Sequence, residues 1–154
     1  MKENRERWIK LIEDTARETR SRLSRIDPEH IVHGGSSPWR VRDVLGHVGV
    51  WNGEAARSLR AHAQGKDYHC IEAEAKYDEY NGLAVDERRN WSPAQLWAEY
   101  DSSCSALISL VDSMPDDQWT RSMRYPWNEV GTAPRLIEIM MTHEVEHREV
   151  IPGY

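Results

Sequence analysis

Thr132-Ala133-Pro134-Arg135-Leu136-Ile137-Glu138-Ile139-Met140-Met141-Thr142-His143-Glu144-Val145-Glu146-His147-Arg148 is the stretch on which the fold turns. A threonine can cap the free amides of a helix start, and a proline in the first turn gives up an N–H that has no intrahelical partner anyway. Behind that start Leu136, Met140, His143 and His147 follow at steps of four, three and four, so they share one face of a helix. The pattern predicts a helix that carries Ile151 and runs almost to the C-terminus, with two imidazoles on its apolar stripe. They are one turn apart, the spacing at which two nitrogens can hold one ion.

Three more amphipathic segments lie upstream. From about Glu3 to Leu23, Trp8, Leu11, Ile12, Ala16 and Leu23 recur at helical spacing, with Thr15 and Thr19 between them. Turn formers crowd the next stretch: Asp27-Pro28, Gly34-Gly35 and Ser36-Ser37-Pro38. A second helix carries Val41, Val44, Leu45, Val48, Trp51 and Ala55 and should stop where Gly65 offers a left-handed cap. Ser92-Pro93-Ala94-Gln95 opens a third, with the stripe Leu96, Tyr100, Cys104, Leu107 and Val111 ending near Met114-Pro115. Between the second and third, Lys66 to Asn90 reads as a crossover with one or two short helices, Ala73, Ala75, Tyr77, Tyr80, Ala84 and Val85 marking them and Asn81-Gly82 interrupting. Trp119 to Gly131 reads as an aromatic loop or short extended segment. Four amphipathic helices with one long crossover between the second and third describe an all-α four-helix bundle, a single domain over 1–154.

Composition narrows the class. Leu, Ile and Val make up under about a fifth of the chain, and Phe is absent, but 7 Trp, 6 Tyr and 5 Met restore the apolar volume. With a net charge of only -6, the chain is expected to fold. The acidic balance and lack of a basic run argue against nucleic acid or an anionic membrane as the main partner and leave small molecules. The N-terminal MKENRERWIKLIEDTARETR has no apolar core of a signal peptide and no stretch reaches membrane-spanning length, so a cytoplasmic address is expected. Cys70 and Cys104, far apart and without CxxC spacing, fit a reducing compartment.

The chemistry gathers on three histidines. His47 lies three after Val44 and four before Trp51, so it faces the bundle as His143 and His147 do. A single histidine on such a face is ordinarily a hydrogen-bonded core residue, but three imidazoles buried together need partners. His47, His143 and His147 are therefore the candidate metal ligands. The pentapeptide from His143 to His147 also matches HExxH, the metallopeptidase signature. Zincins usually take a third ligand downstream, where only seven residues remain here, and a peptidase cleft needs a sheet edge. Glu144 is the candidate catalytic residue, a base able to polarise a metal-bound water. Asp43, one turn before His47, is a candidate acceptor for that imidazole's other proton. His30, His33, His62 and His69 are the candidates for a fourth ligand and read as solvated loop residues.

Trp39-Arg40-Val41-Arg42-Asp43-Val44-Leu45-Gly46-His47-Val48-Gly49-Val50-Trp51 resembles the first signature of the DinB-like superfamily, and His143 and His147 resemble its HxxxH second signature. Tyr80-Asn81 through Arg88-Arg89, with Trp91-Ser92-Pro93, resembles the linking segment, so the likeness runs from about Trp8 to Arg148. The resemblance implies a four-helix bundle holding a divalent metal, zinc first and nickel or iron as alternatives. It further implies thiol-dependent transferase or isomerase chemistry with mycothiol, bacillithiol or glutathione, and a homodimer through helix faces. Arg40 stands where many members have a Ser or Thr cap, which Ser36 or Ser37 could replace one turn earlier. Three neutral imidazoles leave an open position at which a water or thiol would lose its proton near neutral pH. The expected function is thus a metal-dependent enzyme on a small molecule, an S-transferase or isomerase that activates a thiol or water, with a hydrolase as a further form of the same chemistry. Its electrophile would lie against Trp51 and the Tyr125-Pro126-Trp127 loop, making Trp51 and Trp127 the candidate contacts for the low-molecular-weight thiol and substrate. The alternative is a non-catalytic protein that sequesters a metal or small molecule, which a fourth protein ligand would favour.

Overall fold

The computed structural model describes residues 2–32, 38–70 and 76–151. Each long helix begins and ends where its sequence supplies the chemistry. The first, α1 (Lys2–Leu23), leads into a loop stitched back on itself by Val32 N–H to Trp39 O at 2.8 Å and Val41 N–H to His30 O at 2.9 Å. That loop delivers Trp39 to the start of α2 (Val41–Ala63). At the other end of α2, Gly65 takes φ +73 and the Lys66 N–H reaches back to Ala61 O, a Schellman closure that needs a residue at ease in the left-handed region. In α4 (Pro93–Ser113) the Ser92 hydroxyl accepts from Gln95 N–H while Gln95 Oε1 accepts from Ser92 N–H, a reciprocal capping box. Thr132 caps α6 (Ala133–Glu149) through the Arg135 N–H.

α1, α2, α4 and α6 form the four-helix bundle. The principal contacts run α2 with α4, α4 with α1, α1 with α6 and α6 with α2, so the helices ring the core in the order α1–α4–α2–α6. α2 and α6 are therefore neighbours although the chain separates them by three other helices. Leu59, Leu107, Leu136, Ile137 and Trp119 pack one end of the interior, and Leu23, Val44, Leu45, Leu96 and Tyr100 the other. None of the described helices is long and apolar enough to cross a membrane.

Two segments differ from their sequence reading. Asn81-Gly82 does not interrupt the crossover but lies inside α3 (Tyr77–Glu87). The glycine penalty of about 1 kcal/mol is outweighed because α3 is tied down by side chains: Asn81 to Trp51, Tyr80 to Glu54 and Arg88 to Glu99. Trp119 is not in a loop; it sits in a short helix, α5 (Asp116–Thr120), almost fully buried under the Arg5 guanidinium. The rest of that segment is a small hairpin, β1 (Met123–Arg124) pairing antiparallel with β2 (Val130–Gly131). Its turn is closed by Asn128 at φ 72, a conformation asparagine tolerates. The expected turns at Gly34-Gly35 and Ser36-Ser37, and Ala73 and Ala75, lie outside the described residues.

Candidate metal centre

α2 and α6 each present histidine to the seam between them. His47 Nε2 lies 3.2 Å from His143 Nε2 and 3.1 Å from His147 Nε2. Among the described residues these three form the one group of His, Cys, Asp or Glu able to hold an ion, with all ligand atoms within 4.8 Å of one another. Three nitrogens each 2.0–2.1 Å from a tetrahedral zinc would stand about 3.3–3.4 Å apart. The observed separations are close to that.

The protonation chemistry agrees. Burial, and then the neighbouring imidazoles, hold His47 down to about 2, and burial with His147 holds His143 down to about 4. Both are neutral at physiological pH and offer lone pairs. A neutral imidazole carries one N–H, so His47 Nε2 cannot hydrogen-bond productively to both partners at once. A divalent cation at their centre satisfies all three nitrogens, which is the donor set's fit to such an ion.

The seam opens into a cavity of about 780 Å³. Trp39, Trp51, Tyr77 and Trp127 line it with Met140, and the three histidines stand in its wall. Trp39 is held 5.0 Å from the His47 ring, centroid to centroid. Trp51 is buried and donates its indole N–H to Asn81 Oδ1 at 2.7 Å. Trp127 leans on Tyr125 at 5.3 Å, and Tyr125 donates its hydroxyl to Thr132 O at 2.8 Å, fixing the hairpin against the start of α6. Trp51 and Trp127 thus stand beside the histidines.

Glu144 is placed elsewhere. It is 1% exposed and does not line this cavity. Its Oε2 accepts from Thr19 at 2.6 Å and Tyr100 at 2.5 Å, and its Oε1 from Asn52 at 3.0 Å. One residue further round α6 than His143, it points at the bundle axis, where helices α1, α2 and α4 each supply a donor. Polar residues on apolar stripes, Thr19, Asn52 and Tyr100, were the sequence signal for this network. The expected use of Glu144 on a metal-bound water is corrected accordingly: it is a structural carboxylate.

Asp43 is likewise engaged with the helix start. Its Oδ2 accepts from the Arg40 N–H at 2.9 Å and from Arg40 Nε at 3.1 Å, so it, rather than a Ser or Thr at the cap, closes the first turn of α2. Ser36 and Ser37 lie outside the described residues, as does His33. Of the other candidate fourth ligands, His62 is buried against Gln118 O at 2.6 Å, and His30 and His69 are not in the cluster. His62 is a core histidine, not the solvated one its sequence position suggested. What sequence reading missed in the cavity is α3, which brings Tyr77 and Asn81 to its wall.

Residues 10–150 match the family described as the mycothiol maleylpyruvate isomerase N-terminal domain. No curated protein matches the chain by sequence. Among solved structures, the mycothiol-dependent maleylpyruvate isomerase superposes with a TM-score of 0.77 at 15% identity, covering 97% of this chain. A histidine-to-alanine variant of that isomerase gives 0.78 at 14% identity, again over 97% of this chain. In both cases this chain spans 61% of the other's length. The Bacillus subtilis protein YfiT, described as a probable metal-dependent hydrolase with an unusual four-helix bundle topology, gives 0.73 at 17% identity over 98% of this chain and 85% of its own. Those likenesses concern the fold. The matched family and the shared bundle agree, and the chain belongs to the mycothiol maleylpyruvate isomerase N-terminal domain family of the DinB-like superfamily.

Proposed function

We propose that the chain is a metal-dependent enzyme acting on a small electrophilic molecule, an S-transferase or isomerase that uses a low-molecular-weight thiol, with His47, His143 and His147 as the ligands of a divalent ion. Three imidazoles suit zinc, with nickel or iron as the alternatives. The observation that carries this reading is a three-nitrogen cluster opening onto an aromatic cavity, with no fourth ligand beside it among the described residues. A closed shell of four ligands would favour sequestration; three leave a position for chemistry. Bound there, the ion would lower the pKa of a thiol or water and supply a nucleophile near neutral pH.

The chain's own residues do the rest. His47 comes from α2 and the other two ligands from α6, so the bundle core holds the donors rigidly and little reorganisation is needed when a ligand arrives. Trp51 and Trp127 exclude water and offer flat surfaces for the organic part of a thiol or its acceptor. Asp43 and Glu144 are not free to act as a base, since Asp43 is held by Arg40 and Glu144 by its three donors; the carboxylate on the cavity lining among the described residues is Asp78.

Elemental mass spectrometry on protein purified without chelator tests the metal, alongside the His143→Ala, His147→Ala double variant. Near-stoichiometric metal in the wild type, lost in the double variant, supports the centre. Thiol consumption against a panel of electrophiles then tests the activity. Metal without turnover of any thiol would favour sequestration, and no metal after incubation with zinc, nickel or iron would overturn the reading.

A further inference from the structure

We infer that the cavity beside the histidines selects an aromatic or otherwise flat apolar body that is uncharged or cationic, and rejects molecules bearing two negative charges. The inference rests on the reading of this cavity as the substrate site.

Its walls carry the argument. Trp39, Trp51, Tyr77 and Trp127 offer ring faces, and ring faces attract cations and apolar surface while repelling carboxylates. Among the described lining residues the one charged side chain is Asp78, exposed at the α3 rim. No arginine or lysine lines the cavity among those residues, and the sequences of residues 33–37 and 71–75 contain none. A divalent ion on the histidines would keep its double positive charge, the imidazoles being neutral, but would meet only the anionic atom within its reach. A second carboxylate would then be desolvated against tryptophan with no cation to meet it, which is costly. Asp78 repels it further. The indole N–H of Trp51 cannot help, because it is spent on Asn81.

Part of this selectivity resides in the crossover. Tyr77, Asp78 and Asn81 all come from α3, so this short helix shares with Trp39, Trp51 and Trp127 in setting which molecules enter.

The test is calorimetry with three matched probes on the full chain: naphthalen-2-ylmethanol, naphthalen-2-ylmethylammonium and naphthalene-2,3-dicarboxylate. It is run on chelator-treated protein and repeated on zinc-loaded protein. The alcohol and the ammonium are expected to bind at least about 10-fold more tightly than the dicarboxylate in the metal-free chain. Trp127→Ala should weaken both by about 5-fold or more, with Trp39→Ala as a second variant if the first fails to fold by circular dichroism. Asp78→Asn should weaken the ammonium alone, by about 2- to 5-fold given its exposure. A dicarboxylate that binds as well as the alcohol, failure of every probe to bind, or affinities untouched by both tryptophan variants would each overturn the inference. Zinc uptake measured on the same preparation keeps the two readings apart. A chain that takes no zinc but ranks the probes as expected loses the metal centre and keeps the selectivity; one that takes zinc and prefers the dicarboxylate does the reverse.

Discussion

His47 on α2 and His147 on α6, 100 positions apart in the chain, hold their Nε2 atoms 3.1 Å from each other. A neutral imidazole nitrogen can serve only one of its two neighbours there, whereas a divalent ion between them would satisfy all three. Removing any one ligand should therefore be felt as a loss of metal. His47→Ala, His143→Ala and His147→Ala are each expected to lower zinc affinity by more than about 100-fold, since even loss of groups that only support ligands costs up to that. Zinc should raise the thermal midpoint of the wild type and leave that of each variant unmoved. Competition with a chromophoric chelator and a thermal melt with and without zinc provide the check.

Glu144 separates a structural carboxylate from a catalytic one. Truncation to alanine leaves the hydroxyls of Thr19 and Tyr100 and the amide of Asn52 without an acceptor in the core. Glu144→Ala should cost about 3 kcal/mol of stability in urea denaturation while zinc stoichiometry at neutral pH stays unchanged. Metal loss with unchanged stability would contradict the placement of Glu144.

Acid should destabilise the metal-free chain in a defined window. In the unfolded chain His47 and His143 take up protons near pH 6.5, whereas burial keeps them neutral in the fold down to about 2 and about 4. Between those limits the unfolded state binds more protons, so the stability present above about pH 6.5 falls as the pH is lowered. Urea midpoints at pH 7.5, 6 and 5 should decline in that order, and His47→Asn should flatten the decline.

The hairpin can be broken at one atom. A Cβ added at Gly131 would lie 2.1 Å from the Tyr125 hydroxyl oxygen and 2.6 Å from the ring carbon that bears it. The Tyr125 ring is buried and cannot swing clear. Gly131→Ala should cost about 1–3 kcal/mol and, by shifting Tyr125, move Trp127, which a tryptophan emission spectrum and the naphthalene affinities would both report.

The Cys104 thiol should be inert. Burial, with the charge of Glu144, pushes it up to about 12. Alkylation by iodoacetamide at pH 8 is expected to be slower than that of an unfolded control by at least about 100-fold, because the thiolate is the reacting species. Labelling at the control's rate would show that the α4 core opens readily.

The helices were legible because their information is local. Ser92 with Gln95, Thr132 ahead of Pro134, Gly65 at φ +73 and the apolar stripes act within a few residues of one another, and the sequence alone determined where the four bundle helices run. The face on which His47, His143 and His147 sit was equally determined, since helical periodicity puts them with their apolar neighbours. Asn81-Gly82 misled because the forces holding α3 come from other helices, through Trp51, Glu54 and Glu99. Glu144 misled for the same reason: its position next to His143 says nothing about the donors on α1, α2 and α4 that claim it. Only the tertiary structure decided that α2 lies beside α6, bringing three histidines to one point, and that α3 closes the cavity against them. Those outcomes depend on which faces meet across the bundle, a property of packing between segments that no spacing within one segment encodes.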